Sequence, residues 1–146
     1  AAGMAYAAKL DNKRHRVFAI LSDGECNEGS TWEAILFAGH HKLNNLIVIV
    51  DYNKLQGFGY TKDILDLEPF ADKWQAFKWT VKEINGHSFE QIIDAVGKTL
   101  PSKPFVIIAN TIKGYKGPKQ HVNKVSSQYK PPTTEELNEV RKRLSR

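Results

Sequence analysis

Three short apolar runs rich in β-branched residues stand out along the chain: VFAILSD at 17–23, LIVIVDYN at 46–53 and FVIIANT at 105–111. Each is almost continuously apolar rather than alternating, which is typical of strands buried on both faces of a parallel sheet. A fourth run, TVKEING at 80–86, alternates more between apolar and polar residues, so we expect it nearer an edge. The pattern therefore predicts a mainly parallel sheet.

Helical patterns lie between these runs. The segment EGSTWEAILFAGHHKL at 28–43 has one apolar face at helical spacing, formed by Trp32, Ile35, Leu36 and Gly39. PFADKWQAF at 69–77 begins with proline, and SFEQIIDAVGKTL at 88–100 opens on Ser88, which is suited to cap a helix. Strands that alternate with helices predict an α/β domain, doubly wound, with helices on both faces of the sheet.

The two ends of the chain differ from this core. AAGMAYAAKL at the start is typical of the last part of a small-residue helix, as if the chain began in mid-domain. Residues 114–132 are rich in Gly, Pro, Ser and Lys and predict a long loop, and 133–145 predict a closing helix with Thr134 as its N-cap. We therefore expect one domain, with a partial α/β core at 1–112 and a basic loop and closing helix at 113–146.

The composition bears on the cellular compartment in which the protein is expected. A single cysteine, Cys26, excludes an internal disulfide and favours a reducing, cytoplasmic compartment. No Cys/His constellation accompanies it, so we interpret it as an incidental loop residue. No apolar run approaches the roughly 20 residues that span a bilayer, and the first residues lack the features of a secretory signal. We expect no membrane partner.

The net charge of +5 is concentrated at one end. Residues 113–146 hold nine Lys and Arg against three Asp and Glu, whereas the rest of the chain is close to neutral. The basic residues are not interleaved with a stripe of aromatic residues, and no nucleic-acid-binding module is recognisable. This pattern favours a solvated face, or an edge that meets an acidic partner or a phosphorylated substrate, over nucleic-acid binding.

The stretch SDGECNEGS at 22–30 places acidic residues where the first strand leads into a helix. Ligands of open parallel sheets bind at the carboxyl ends of the strands, and a helix N-terminus there favours an anion. Acidic groups would repel an anion unless a cation intervened. We therefore predict that Asp23 binds a metal and that the metal binds a phosphate. Asn53, after the next strand, offers an amide oxygen, and Mg²⁺ prefers oxygen ligands.

Other phosphate-binding motifs fit less well. Gly24, Gly29 and Ser30 have the spacing of a Walker loop, but its lysine is missing, and the dinucleotide fingerprint G-x-G-x-x-G is absent. Taken alone, Asp23 could simply cap the following helix.

The pair of residues is more specific than either one. Asp23 and Gly24, followed thirty positions later by Asn53, resemble the thiamine-diphosphate signature G-D-G…N. The segments EGSTWEA, AGHHKLNNLIVIVDYNKLQ and DLEPFADKWQAFKW are similar to the diphosphate-binding N-terminal module of the transketolase family, over about Gly3 to Gly114. The ending PPTTEELNEVRKRLSR resembles the C-terminus of the N-terminal subunit of split transketolases.

The resemblance implies a thiamine-diphosphate-binding fold, incomplete at its N-terminus, with thiamine diphosphate and Mg²⁺ (or Ca²⁺) as cofactors. It assigns the metal to Asp23, Asn53 and the backbone carbonyl of Leu55. Gly24 would let the backbone approach the diphosphate, and Glu25 is counted with the cofactor-binding residues.

The same resemblance implies partners. It places Glu28 and Glu33 in an acidic network between subunits, although an ordinary interpretation of both is a glutamate at a helix start and on an exposed helix face. The expected partner is the pyrimidine-binding, C-terminal transketolase subunit or domain, in a homodimer or heterotetramer. Without it, we expect the isolated chain to be inactive.

The implied activity is transketolase activity in sugar metabolism of the pentose-phosphate type. A two-carbon ketol unit would pass from a ketose phosphate to an aldose phosphate. Two alternatives stay open: another thiamine-diphosphate enzyme, such as a deoxyxylulose-phosphate synthase, and a degenerate, non-catalytic subunit that only dimerises.

Some positions depart from the family pattern. Ser22 stands where the signature has its first glycine, and Gln128 stands where relatives of the split type often have a histidine. The family's substrate-facing histidine could instead be His121, in the loop beyond the last strand. His87 is expected to shape the turn before its helix. His40 and His41 are expected at packing or surface positions of a helix, and His15 is expected in a polar turn beside Arg14 and Arg16.

Overall fold

The computed structural model describes residues 1–97 and 102–145. The strands are β1 Val17–Ser22, β2 Leu46–Tyr52, β3 Leu55–Gln56, β4 Gly59–Tyr60, β5 Thr80–Asn85 and β6 Phe105–Asn110. The helices are α1 Ala2–Leu10, α2 Gly29–His40, α3 Thr61–Ile64, α4 Phe70–Ala76, α5 Phe89–Gly97 and α6 Thr134–Leu144. The C-terminal end of the helix predicted at 88–100 lies outside the described residues.

Four strands form one parallel sheet in the order β1-β2-β6-β5. Leu46 of β2 pairs with Val17 of β1, and Phe105 of β6 pairs with Thr80 of β5. All four predicted strands are present, and β5 lies at an edge of this sheet as its alternating pattern predicts. The mainly parallel α/β prediction is confirmed.

Alternate residues of β2 enter two different cores. Val48 and Val50 face a larger cluster with α1, α2 and α4, centred on Trp74 and Phe70, which are fully buried. Ile47 faces a smaller cluster with α5 on the opposite side. Helices therefore lie on both faces of the sheet, as the doubly wound prediction requires.

The expectation of burial on both faces is wrong for β1. Phe18 and Ile20 are 43% and 74% exposed. Of the described helices, only α5 contributes to the cluster on this face, and it packs beside β5. Within the described ranges 1–97 and 102–145, β1 is therefore an edge strand whose second face is open.

Two details of the helices also differ from the sequence prediction. Leu36 is 56% exposed, because Ile35, Ala38 and Gly39 are the buried positions of α2 and the broad apolar pattern does not tell these positions apart. The N-cap of α6 is Thr133 rather than Thr134, since the Thr133 hydroxyl accepts the Glu136 N–H in a capping box. The cap at Ser88 is confirmed by the hydrogen bond from the Gln91 N–H to its hydroxyl.

Short elements in the connections have no counterpart in the sequence prediction. The hairpin of β3 and β4 and the single-turn helix α3 follow directly after β2. The predicted loop at 114–132 contains two 3₁₀ turns, Lys119–His121 and Val125–Gln128. Among the described helices, none combines the length and the apolar character that a bilayer crossing requires.

Candidate functional site

The sheet brings two of the predicted site residues to adjacent positions. β1 and β2 are parallel neighbours, and Ser22 at the end of β1 pairs with Asp51 of β2. Asp23 and Asn53 therefore leave the carboxyl edge of the sheet side by side. This is the edge at which open parallel sheets bind ligands.

Asp23 is fully buried and only partly satisfied. Its Oδ2 accepts the backbone N–H of Lys54 at 2.5 Å, whereas its Oδ1 has no hydrogen-bond partner among the described residues. Burial raises the pKa of this carboxyl from 3.8 to about 6, against the opposing effect of the Lys54 N–H. A buried carboxylate oxygen without a donor is costly, and a cation would relieve that cost.

Asn53 is 7% exposed and has its side-chain amide fixed at both ends. Its Oδ1 accepts the Leu55 N–H at 2.9 Å, and its Nδ2 donates to Asp51 Oδ2 at 3.2 Å. The N–H groups of Lys54 and Leu55 are consecutive along the backbone, so the oxygens they bind, from Asp23 and Asn53, lie along one short turn. Each of these oxygens keeps a lone pair for a further ligand.

The turn after Asp23 is held by its own side chains. Glu25 Oε2 accepts the Ser22 N–H at 2.7 Å and the Ser22 hydroxyl at 3.0 Å. A Cβ on Gly24 would lie 3.3 Å from the Cβ of Gln56, so this glycine permits a close approach. The serine that departs from the family signature thus anchors Glu25, whose carboxylate lies against the turn.

Cys26 is buried in the same turn and is a free thiol. Burial, together with the negative charges of Asp23 and Glu25, raises its pKa to about 12. Such a thiol stays protonated and unreactive at neutral pH.

The two glutamates assigned to an acidic network lie on the surface. Glu28 is the residue before α2 and Glu33 lies in its second turn, and both side chains are exposed. Within this chain they are positioned away from the core.

His121 lies against the C-terminal helix. Its Nε2 is 3.3 Å from Glu136 Oε2 of α6, and the same glutamate accepts a hydrogen bond from Gln120. Gln128 ends the second 3₁₀ turn, and the neighbouring Tyr129 hydroxyl donates to the Gly57 carbonyl. The contacts of His121 therefore connect the loop to α6.

A cleft of about 740 Å³ opens beside the strand ends. Its walls include Asn53, Lys54, Thr111, Ile112 and His87. His87 Nε2 accepts the Ile112 N–H at 2.8 Å. Its ring stacks on Tyr115 at 3.7 Å between centroids, so this histidine holds the chain just beyond β6. This adds a contact to the turn-shaping role expected from the sequence.

The donor set fits a metal bound jointly with a diphosphate. Among residues 1–97 and 102–145, no group of three or more His, Cys, Asp or Glu side chains could hold a metal ion without other donors. One carboxylate, one amide oxygen and one backbone carbonyl would leave coordination positions for non-protein oxygens. Mg²⁺ characteristically keeps such positions for phosphates and water.

Two neighbours of Asn53 were missed by the sequence prediction. Asp51 lies two residues before it, and Thr111, beyond the end of β6, donates its hydroxyl to Asp51 Oδ1. Both residues fall inside the strand patterns VDYN and FVIIANT. Only the register of β2 against β6, which pairs Asp51 with Ala109, shows that they meet.

Residues 4–145 match the family described as transketolase, thiamine diphosphate binding domain. The chain belongs to the transketolase family. This confirms the family resemblance and the thiamine-diphosphate-binding character of the domain.

Among its relatives is the 6-deoxy-6-sulfo-D-fructose transketolase subunit SqwG of Clostridium sp. (strain MSTE9), 47% identical over 78% of this chain and 42% of that protein. An apulose-4-phosphate transketolase subunit from Phocaeicola vulgatus is 37% identical over 98% of this chain and 51% of that protein. The chain thus spans about half the length of these relatives, or less.

Solved structures of transketolases have the same fold. The transketolase of Campylobacter jejuni superposes with a TM-score of 0.92 at 29% identity, over 99% of this chain and 24% of that one. The transketolase of Leishmania mexicana gives a TM-score of 0.87 at 25% identity, over 99% of this chain and 23% of that one.

Proposed function

We propose that the chain supplies the metal–diphosphate anchor of a thiamine-diphosphate-dependent transketolase. The observation that supports this most directly is the buried Oδ1 of Asp23, which has no hydrogen-bond partner among the described residues. Asp23, Asn53 and the Leu55 carbonyl would hold Mg²⁺ or Ca²⁺, and the metal would hold the cofactor's diphosphate. When bound, thiamine diphosphate supplies the carbanion chemistry by which a two-carbon ketol unit moves from a ketose phosphate to an aldose phosphate.

The residues of this chain bind and orient rather than react. The neutral amide of Asn53 adds a ligand oxygen without a second negative charge, so a divalent cation bound by Asp23 keeps attraction for a diphosphate. Gly24 keeps the backbone of the turn open to close approach. Glu25 fixes the direction in which that turn leaves β1, through its two hydrogen bonds to Ser22.

The site needs a second polypeptide or domain to act. Two relatives are named transketolase subunits. In this chain Glu28 and Glu33 are exposed where an interface between protomers could use them. The partner would supply the pyrimidine-binding module, in a homodimer or heterotetramer, and sugar phosphates would be the substrates.

A second candidate is a subunit that holds the cofactor but lacks the substrate-facing histidine. His121 is positioned against Glu136 of α6, and the alternative position holds Gln128. Such a subunit would bind thiamine diphosphate and assemble without efficient ketol transfer.

An activity assay tests the proposed function and separates the candidates. The protein is combined with a pyrimidine-binding transketolase subunit, thiamine diphosphate and Mg²⁺, and ketol transfer between sugar phosphates is followed. Transfer that requires both subunits and is lost in Asp23→Ala supports the transketolase. Cofactor binding without transfer supports the second candidate, and transfer by this chain alone contradicts the need for a partner.

A further inference from the structure

We propose that Asp51 and Thr111 are positioning residues, which hold the Asn53 amide so that its oxygen is presented to the metal bound by Asp23. This inference rests on the proposed function. It assigns a role to two residues that are not themselves metal ligands.

The orientation of the Asn53 amide decides whether it can bind a metal at all. An amide binds cations through its oxygen, and its NH₂ group offers only donors. In the structure the NH₂ end donates to Asp51 Oδ2 at 3.2 Å, and the oxygen accepts the Leu55 N–H. Because Asp51 is an acceptor-only group, the reversed amide would place oxygen against oxygen and lose this bond. Asp51 therefore excludes the orientation that turns nitrogen toward the metal position.

Asp51 is itself held from a neighbouring strand. Its side chain lies at the surface, where a lone carboxylate would change rotamers freely, yet both of its oxygens have partners. Oδ2 accepts from Asn53, and Oδ1 accepts the Thr111 hydroxyl from beyond the end of β6. The hydroxyl thus ties the carboxylate to a second strand end and fixes the acceptor that orients Asn53.

Thr111 has little freedom to move. A Cβ built on Gly86, just after β5, would lie 2.4 Å from the Thr111 Cγ2. The Gly86 N–H also donates to the Asn110 carbonyl at 2.8 Å, which holds the two strand ends together. The methyl group of Thr111 is thus packed against a glycine, and its hydroxyl is turned to Asp51.

The chain of contacts runs from β5 through β6 to β2. Gly86 leaves room for the Thr111 methyl group, and the Thr111 hydroxyl donates a hydrogen bond to Asp51. Asp51 in turn accepts the hydrogen bond that orients the Asn53 amide. Groups that orient a metal ligand in this way commonly contribute tenfold or more to metal affinity.

The test compares three variants by their affinity for Mn²⁺, which serves as a paramagnetic probe. Binding is measured on the full protein assembled with its pyrimidine-binding partner, in saturating thiamine diphosphate. Thr111→Val keeps the shape and every charge but removes the hydroxyl, and we expect it to weaken Mn²⁺ binding about tenfold. Thr111→Ser restores the hydroxyl and should return the affinity to within about twofold of wild type. The thermal midpoint of each metal-free variant is measured alongside.

A double-mutant cycle shows whether Thr111 acts through Asn53. If it does, Thr111→Val weakens Mn²⁺ binding by less than about twofold in an Asn53→Ala background. Effects of Thr111→Val and Asn53→Ala that multiply would overturn the inference, as would a Thr111→Val protein that binds Mn²⁺ like wild type.

A third variant covers the case in which Thr111→Val does not fold. Asp51→Leu keeps a branched side chain of similar size but removes both acceptor oxygens, so it should weaken Mn²⁺ binding about tenfold or more, and an unchanged affinity would overturn the inference. Asp23→Asn separates this inference from the proposed function. If Asp23→Asn loses Mn²⁺ binding while the Thr111 and Asp51 variants keep it, the proposed metal–diphosphate anchor stands and the positioning role is rejected. A wild-type protein that binds no Mn²⁺ rejects both the anchor and the positioning role.

Discussion

Asp23 is a residue whose burial lowers the stability of the folded protein at neutral pH. Its carboxyl is fully buried, one oxygen has no donor among the described residues, and its pKa is raised from 3.8 to about 6. The folded protein without metal therefore holds the proton more tightly than the unfolded chain does. Stability is greatest where Asp23 is protonated in both states and falls as the pH rises from about 4 to about 6.

Asp23→Asn should remove this pH dependence. Asparagine does not titrate, so the mutant should gain in unfolding free energy relative to wild type as the pH rises. At 1.36 kcal/mol per pKa unit, the gain between pH 4 and pH 7 is at most about 3 kcal/mol. Urea denaturation of both proteins with a chelator present, at several pH values, measures it. A difference between the two proteins that does not vary with pH would show that Asp23 is not titrating as described.

Packing at the element scale depends on one glycine of α2. A Cβ on Gly39 would lie 1.9 Å from the Phe77 carbonyl oxygen, which belongs to the backbone at the end of α4 and cannot be displaced cheaply. The two helices share the larger core with Trp74 and Trp79. Gly39 is therefore required for their close contact.

Gly39→Ala should destabilise the protein by about 3 kcal/mol or more, because α2 must move away from the end of α4. Gly3→Ala is the matched control, since Gly3 lies in α1 and its Cβ would meet nothing within 4 Å. That control should gain up to about 1 kcal/mol from helix propensity. Chemical denaturation of both variants decides the point, and equal stabilities would contradict the packing described here.

The capping box of α6 allows a second test at this scale. Thr133→Ala removes the hydroxyl that accepts the Glu136 N–H and should cost about 1 kcal/mol of helix stability. Thr134→Ala, one residue further into the helix, should cost almost nothing. Faster hydrogen exchange of the α6 amides in the first variant but not in the second is the expected result. The reverse order would restore Thr134 as the cap, as the sequence alone suggested.

For the whole molecule, the sequence predicts those features that are set within a short stretch of the chain, and it does not predict those that depend on contacts between distant elements. The runs at 46–53 and 105–111 predict buried parallel strands correctly. A strand buried on both faces is almost continuously apolar, and this property is visible in a short stretch of sequence. The burial predicted for Phe18 and Ile20 is wrong, because their exposure depends on which elements pack over β1. The Asp51–Thr111 contact joins residues sixty positions apart and follows only from the strand register.

The candidate site follows the same rule. Asp23 and Asn53 each end an apolar run, so topology alone brings them together. The contacts of His121 with Glu136 depend on how α6 folds back onto the loop at 114–132, and no periodic pattern in the sequence encodes that return.

The central claim is that this chain anchors thiamine diphosphate through a metal at Asp23. Calorimetric titration of the protein with thiamine diphosphate, with Mg²⁺ or with a chelator, and with Asp23→Asn in parallel, tests it most directly. We predict binding that requires Mg²⁺ and disappears in Asp23→Asn, and the denaturation experiment above shows whether this variant is folded under the same conditions. Equally tight binding in the presence of the chelator, or binding retained by Asp23→Asn, would contradict the anchor.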